Sequence, residues 1–263
     1  MRRFLALLVK EEKALFTSPI AYVLIAVFLL IMGYSFTLAL FISHSMTLVH
    51  LFFQIFVLFL LTVPIITMRL IAEERKLRTM EVLLTSRATE TQIVFAKFTA
   101  SMILIVLMLI LSSAYAIVLA IYGDPDWGPI FSGYLGLMLL AAALVGVGLL
   151  TSALTNNQII AALLSLSVFL LLWIIDEYGY LLPDPFDSLL VNMSLSVHFK
   201  PFATGSMYLT DVAYYLSATM LSLFLSVRAV REVRLGQVVG AMHRLDALLA
   251  VLLRLRVVLV RAQ

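Results

Sequence analysis

The densest run of charge in the chain is Glu73-Glu74-Arg75-Lys76-Leu77-Arg78-Thr79-Met80-Glu81, followed by Thr85-Ser86, Arg87 and Glu90. Acids and bases interleaved this closely pair with one another or with the charges of another protein. Glu74 and Arg78 stand at i,i+4, the spacing that pairs on a helix surface. Catalytic chemistry has no comparable cluster. The chain has no cysteine, which excludes disulfides, thiol catalysis and thiolate metal sites. Its four histidines, His44, His50, His198 and His243, are scattered. His44 and His50 can approach one another, but two histidines without a further ligand make a weak metal site beside the ordinary reading of hydrogen-bonded loop residues. The sequence holds neither a Gly-x-x-x-x-Gly-Lys-Ser/Thr loop nor a Gly-x-Gly-x-x-Gly fingerprint, so no nucleotide-binding cassette is expected in it. The charged run is therefore either a surface that docks a second protein or an ordinary loop whose charges fix topology.

The elements around that run are apolar. The chain has 263 residues, of which 63% are apolar and 13% charged, with a mean hydropathy of +1.10. A soluble domain carries about 25% charge. Segments 14–68, 98–123, 127–175 and 212–227 contain no Asp, Glu, Lys or Arg, and a membrane-crossing helix needs about 20 such residues. Broken at their polar and turn-forming residues, these blocks predict an all-α polytopic membrane protein with six transmembrane helices. The predicted spans are 20–42, 48–68, 98–121, 131–152, 159–175 and 210–228. Ser18-Pro19 opens the first span, Gly123-Asp124-Pro125-Asp126 closes the third, and Thr155-Asn156-Asn157-Gln158 separates the fourth from the fifth. Thr89-Glu90 reads as the start of a helix that continues into the third span.

Charge placement orients these helices. If six spans alternate, 17 of the 18 basic residues fall on one side, in 1–13, in 69–97 and after Arg228, while Lys200 and seven acids fall on the other. Basic segments remain cytoplasmic, so both termini and the 69–97 connection are expected inside, and nucleic acid is not needed to explain a pI near 9.2. The first span starts late, runs long and lacks a small-x-small cleavage site, so it is expected to stay as a signal anchor. No span core holds an ionised residue. That argues against a proton-driven carrier, although carbonyls and hydroxyls can also bind ions and keep an ATP-independent carrier open.

Inside the spans, small residues mark where helices can approach. Ser132/Gly136, Ala142/Gly146 and Gly148/Ser152 have the four-residue spacing of close helix contacts. Pro64 is expected to kink the second span. The polar residues Thr151-Ser152, Thr155 and Asn156-Asn157-Gln158 are expected to cap helices. The acidic, proline-containing 176–210 connection is expected outside, with short helices dipping into the outer leaflet. After a six-span domain over 1–235, the basic apolar tail 236–263 suits an interfacial helix with snorkelling arginines or a poorly ordered extension.

These pieces together resemble the permease subunits of ABC-2-type exporters, in particular the branch with gliding-motility-associated and nitrous-oxide-reductase-maturation permeases. The resemblance covers residues 1 to about 235. It rests on Lys10-Glu11-Glu12 before Ser18-Pro19-Ile20-Ala21-Tyr22, on Glu73 through Ser86, and on Ile93 through Lys97. Asp126-Trp127-Gly128-Pro129-Ile130, Ser132 through Leu137, Ser152 through Ile159, His198-Phe199 near Gly205, and Asp211-Val212 complete it. One departure is Arg87 after Thr85-Ser86, where that pattern has a small residue or proline.

The resemblance implies an interfacial N-terminal helix, an extracytoplasmic element over 179–207 and a segment at 73–90 that contacts a separate ATPase. The implied coupling residues are Glu73, Glu74, Arg75, Arg78, Glu81, Thr85 and Glu90; the implied partners are that ABC ATPase and a second permease copy or paralogue. ATP and magnesium would be bound by the ATPase, with no cofactor and no catalysis in this chain. A periplasmic or accessory membrane protein is a further expected partner, and the inner membrane the expected location. The competing expectation is a membrane scaffold for motility or assembly machinery.

Overall fold

Local capping marks where several of the helices begin. In the computed structural model, which describes residues 2–43, 48–77, 79–80, 88–122, 125–179 and 190–233, a first helix α1 (Arg2–Thr17) ends two residues before Pro19. Helix α2 (Pro19–Leu38) starts there, with Ser18 Oγ accepting from the Ile20 N–H and proline in the first turn, and a π-helical turn (Ala39–Ser43) extends it. Helix α3 (Val49–Thr67) contains Pro64 and leads through a turn to the five-residue α4 (Ala72–Lys76). Helix α5 (Glu90–Tyr122) opens on a reciprocal cap: Thr89 Oγ1 accepts from the Gln92 N–H, and the Thr89 N–H donates to Gln92 Oε1, both at 3.3 Å.

Helix α6 (Trp127–Leu154) is capped by Asp126 Oδ1 on the Gly128 N–H at 3.0 Å. Asn157 Oδ1 accepts from the Ile159 N–H at 2.9 Å at the start of α7 (Gln158–Gly179). Helix α8 (Leu195–Thr204) starts under the Ser194 hydroxyl and ends at Gly205, whose φ of 94° is left-handed backbone that a Cβ would strain. Helix α9 (Leu209–Val233) follows.

Among the described residues six helices are long and apolar enough to cross a membrane: Pro19–Phe41, Val49–Lys76, Glu90–Tyr122, Trp127–Leu154, Gln158–Glu177 and Leu209–Val233. No strand occurs among them. The chain is an all-α polytopic membrane protein. Helices α3 and α6 form its centre, with 67% of their apolar windows buried, whereas α2 and α7 bury 17% and present Tyr22, Leu30, Leu163 and Leu171 outward. An apolar outer face of this kind is matched to lipid.

Glycines let α6 reach its neighbours. A Cβ at Gly133 would overlap Phe52 of α3, at Gly148 Thr67 of α3, at Gly146 Ser222 of α9, and at Gly136 Phe202 of α8. Ala142 is half-buried on the same helix.

The helix of the third span begins at Glu90, where Thr89-Glu90 is expected to start it, and runs on through Lys97, whose charge is paired inside the fold. One expectation changes. Ser152 does not cap its own helix; its hydroxyl reaches across to the turn before α4.

Candidate functional site

The amphipathic α1 supplies the first part of the site. Phe4, Leu7, Leu8, Glu11 and Leu15 recur at helical spacing on its more buried side, and α1 packs along the start of α5. On α5, the buried stripe Ile93, Ala96, Lys97, Ala100 and Leu104 carries one cation, Lys97, with 2% of its side chain exposed. An ammonium placed there must meet anions, since desolvating an unpaired charge costs several kcal/mol. Lys97 Nζ lies 3.0 Å from Glu11 Oε2 and 2.9 Å from Glu74 Oε2. The Glu11 contact is a hydrogen bond, whereas Glu74 Oε2 is held by charge without hydrogen-bond geometry. Lys10 Nζ closes the ring, 3.0 Å from Glu74 Oε1 and 3.3 Å from Glu11 Oε1.

The result is an alternating cycle of two lysines and two glutamates joining α1, α4 and α5. Burial alone would lower the pKa of the Lys10 ammonium, but Glu74 and Glu11 more than offset it and hold that pKa above the ordinary lysine value. The neighbouring Glu12 carboxyl is pushed up by burial.

A second set of bonds fastens the same connection to α6. Ser152 Oγ accepts from the Ile71 and Ala72 N–H groups at 3.1 and 3.0 Å and donates to the Met68 carbonyl at 3.2 Å. The backbone entering α4 therefore has its free N–H groups satisfied by a side chain 80 residues away in sequence. The Arg75 guanidinium donates to the Ala153 carbonyl at the C-terminal end of α6, where a cation also meets the negative pole of the helix dipole. Arg69 stands 3.6 Å from Glu73. Lys76, Leu77 and Thr79 are exposed, and the Thr79 hydroxyl donates to the Glu74 carbonyl at 3.3 Å.

Of the residues singled out in the sequence, Glu74 and Arg75 are thus engaged with the body of the fold, while Glu73 meets Arg69 of its own connection. Glu90 sits in the first turn of α5 and is half-buried. Arg78, Glu81 and Thr85 lie outside the described residues, as do His44 and the 236–263 tail. Sequence reasoning did not assign Lys97, Glu11, Lys10 or Ser152 to the site. A signal for Lys97 was present: a single lysine on an i,i+4 apolar stripe requires a buried acid from elsewhere.

The opposite end of the bundle is built differently. Helix α8 seats Phe199 against Phe56 and Phe53, with ring centroids 5.2 and 5.5 Å apart. Ser132 Oγ donates to the Phe202 carbonyl at 2.6 Å, and the Tyr215 hydroxyl donates to the Leu195 carbonyl at 2.8 Å. The Ser196 hydroxyl and the Lys200 ammonium both donate to Asp176 Oδ2, at 2.6 and 3.3 Å. His198 Nδ1 lies 2.7 Å from Asp211 Oδ1, and its ring stacks on Tyr214 at 4.0 Å. Among the described residues no group of three or more His, Asp or Glu is arranged to hold a metal ion.

Residues 43–227 match the sequence profile of a family described as ABC-2 family transporter protein. Among curated proteins none matches the chain.

Proposed function

The chain belongs to the ABC-2 family of transporter proteins, and from that membership we propose that it is the permease half of an exporter driven by ATP hydrolysis in a separate subunit. The observation that carries this reading is Glu74, whose two carboxylate oxygens face Lys10 of α1 and Lys97 of α5. Residues 69–77 are thereby tied to α1 and α5, and through Ser152 and Arg75 to the central α6. A push delivered to the connection that follows Leu77 would reach three helices at once. Movement of the ring would then reorient α5 and α6, two of the six long apolar helices. The clustering of basic residues supports placing this end in the cytoplasm, where an ATPase can reach it.

The test is co-expression with the partner ATPase and purification through a tag on this chain. A stable complex that turns over ATP, with no hydrolysis by the permease alone, is expected. Transport into sealed vesicles driven by an ion gradient without a partner would replace this reading with that of an ATP-independent carrier. A stable complex without ATP turnover would replace it with a scaffold.

A further inference from the structure

A cavity of about 490 Å³ opens between α1, α2, α3 and the start of α5, within the size range of small-molecule sites. Its walls divide by chemistry. Leu24, Ile65 and Leu104 form an apolar side, while Ser18, Arg69 and Glu73 form a polar side. Ile65 is also 37% exposed, so the apolar wall continues onto the outer belt of the bundle.

The charges lining the cavity balance: Lys10, Arg69 and Lys97 against Glu11, Glu73 and Glu74. Within that set Lys97 is closely paired, but Arg69 is not. Among the described residues its nearest partners are Ser18 Oγ at 3.4 Å and Glu73 Oε2 at 3.6 Å, the second beyond hydrogen-bond length, and its Nε is buried without a hydrogen bond to any of them. A guanidinium with donors to spare thus stands beside a carboxylate, both above an apolar wall.

We infer that this cavity binds one phospholipid of the bilayer with a zwitterionic, primary-amine headgroup. The phosphate oxygens accept from Arg69 and Ser18, in the charge-assisted geometry a guanidinium favours. The ammonium donates to Glu73, and one acyl chain runs along Leu24, Ile65 and Leu104 towards the lipid-facing surface. The balanced lining disfavours a purely anionic headgroup, since three carboxylates share the chamber. A quaternary ammonium has no N–H for Glu73 to accept, so a choline headgroup is a poorer fit. Occupied, the site ties α2 to α3 and α5 beside the ion-pair ring.

The inference depends on the cavity and on the membrane setting, not on the partner ATPase. Its test extracts the full chain from bilayers of equal phosphatidylethanolamine, phosphatidylglycerol and phosphatidylcholine and identifies retained lipid by native mass spectrometry. Phosphatidylethanolamine should be retained above its bulk proportion. Arg69→Gln, which removes the guanidinium cation that faces the phosphate, and Ala14→Trp, which fills the cavity from an exposed position on α1, should each return it to the bulk proportion with helicity and elution volume unchanged. Either variant suffices if the other misfolds. Glycerophosphoethanolamine, the soluble headgroup, should fail to displace the lipid. The inference is overturned by bulk-like retention in the unaltered chain, by enrichment that survives a folded variant, by preference for phosphatidylglycerol or phosphatidylcholine, or by displacement with the soluble headgroup.

Discussion

At one end of the bundle four charged side chains, Lys10, Glu11, Glu74 and Lys97, hold together α1, α4 and α5. At the other, α8 is held by ring packing, hydroxyl-to-carbonyl bonds and a glycine seat, with its ions at the margin. The ring joins residues 86 positions apart in sequence and has few members. Its buried members Lys97, Glu11 and Glu74 are the sensitive ones, because removing one leaves its partner's charge buried, whereas Lys10 is half exposed. The α8 seat spreads its energy over many contacts, several of them within one stretch of chain, so no single polar group dominates. Few strong links suit a junction that must pass a displacement between helices. Many small ones suit an element that must keep its place.

The sharpest way to break this contrast is Lys97→Met. It strands Glu11 and Glu74 without their buried cation and should cost about 3–5 kcal/mol, read as a lowered unfolding temperature in detergent. At the α8 end the largest single effect should come from Gly136→Val, which drives a side chain into Phe202. Overpacking of this sort costs about 1–3 kcal/mol, and hydrogen exchange over 195–204 should speed up while exchange in α1 stays unchanged.

Ser152→Ala leaves the Ile71 and Ala72 N–H groups without their acceptor and should cost about 1–2 kcal/mol, as the loss of a helix cap does. Faster exchange at those amides is the readout. Ser196→Ala should cost about 1 kcal/mol, since Lys200 still serves Asp176.

The smallest effect should be Lys10→Gln, about 0–1 kcal/mol, because that side chain is 54% exposed and screened by solvent. Its pH dependence has a defined sign. The folded-state pKa of Lys10 is raised, so its contribution is complete below the ordinary lysine value of 10.5 and is lost as pH rises through the higher folded value. The stability difference between the unaltered chain and Lys10→Gln should therefore be flat near neutrality and shrink only in strong alkali.

Much of this architecture was legible in the sequence, because the signals involved are local. Ser18-Pro19, Thr89-Glu90 and Asp126 mark helix starts through their own hydrogen bonds, and the charge-free blocks mark the spans. The site was legible only in part. Glu73, Glu74 and Arg75 drew notice as a dense charged run, but the partners of Glu74 and Arg75 lie far away in sequence, and nothing in the spacing of Lys10 or Glu11 points to Lys97. A rule based on uncharged length also ends a helix at a lysine, whereas a paired lysine lets the helix pass through it. Ser152 was read as a cap for the nearest helix end, while its hydroxyl satisfies backbone in another segment. Long-range pairing of this kind is decided by packing, and packing leaves no periodic trace.

The central claim is that Glu74 links the connection after α3 to the membrane helices, so that an ATPase acting on that connection moves them. The most direct measurement is ATP turnover by the reconstituted permease–ATPase complex carrying Glu74→Gln, a change that keeps shape and removes charge. The complex should still be recovered, with permease-stimulated turnover reduced roughly tenfold, the effect of about 1.4 kcal/mol on a barrier. Unchanged turnover with unchanged recovery of the complex would contradict it.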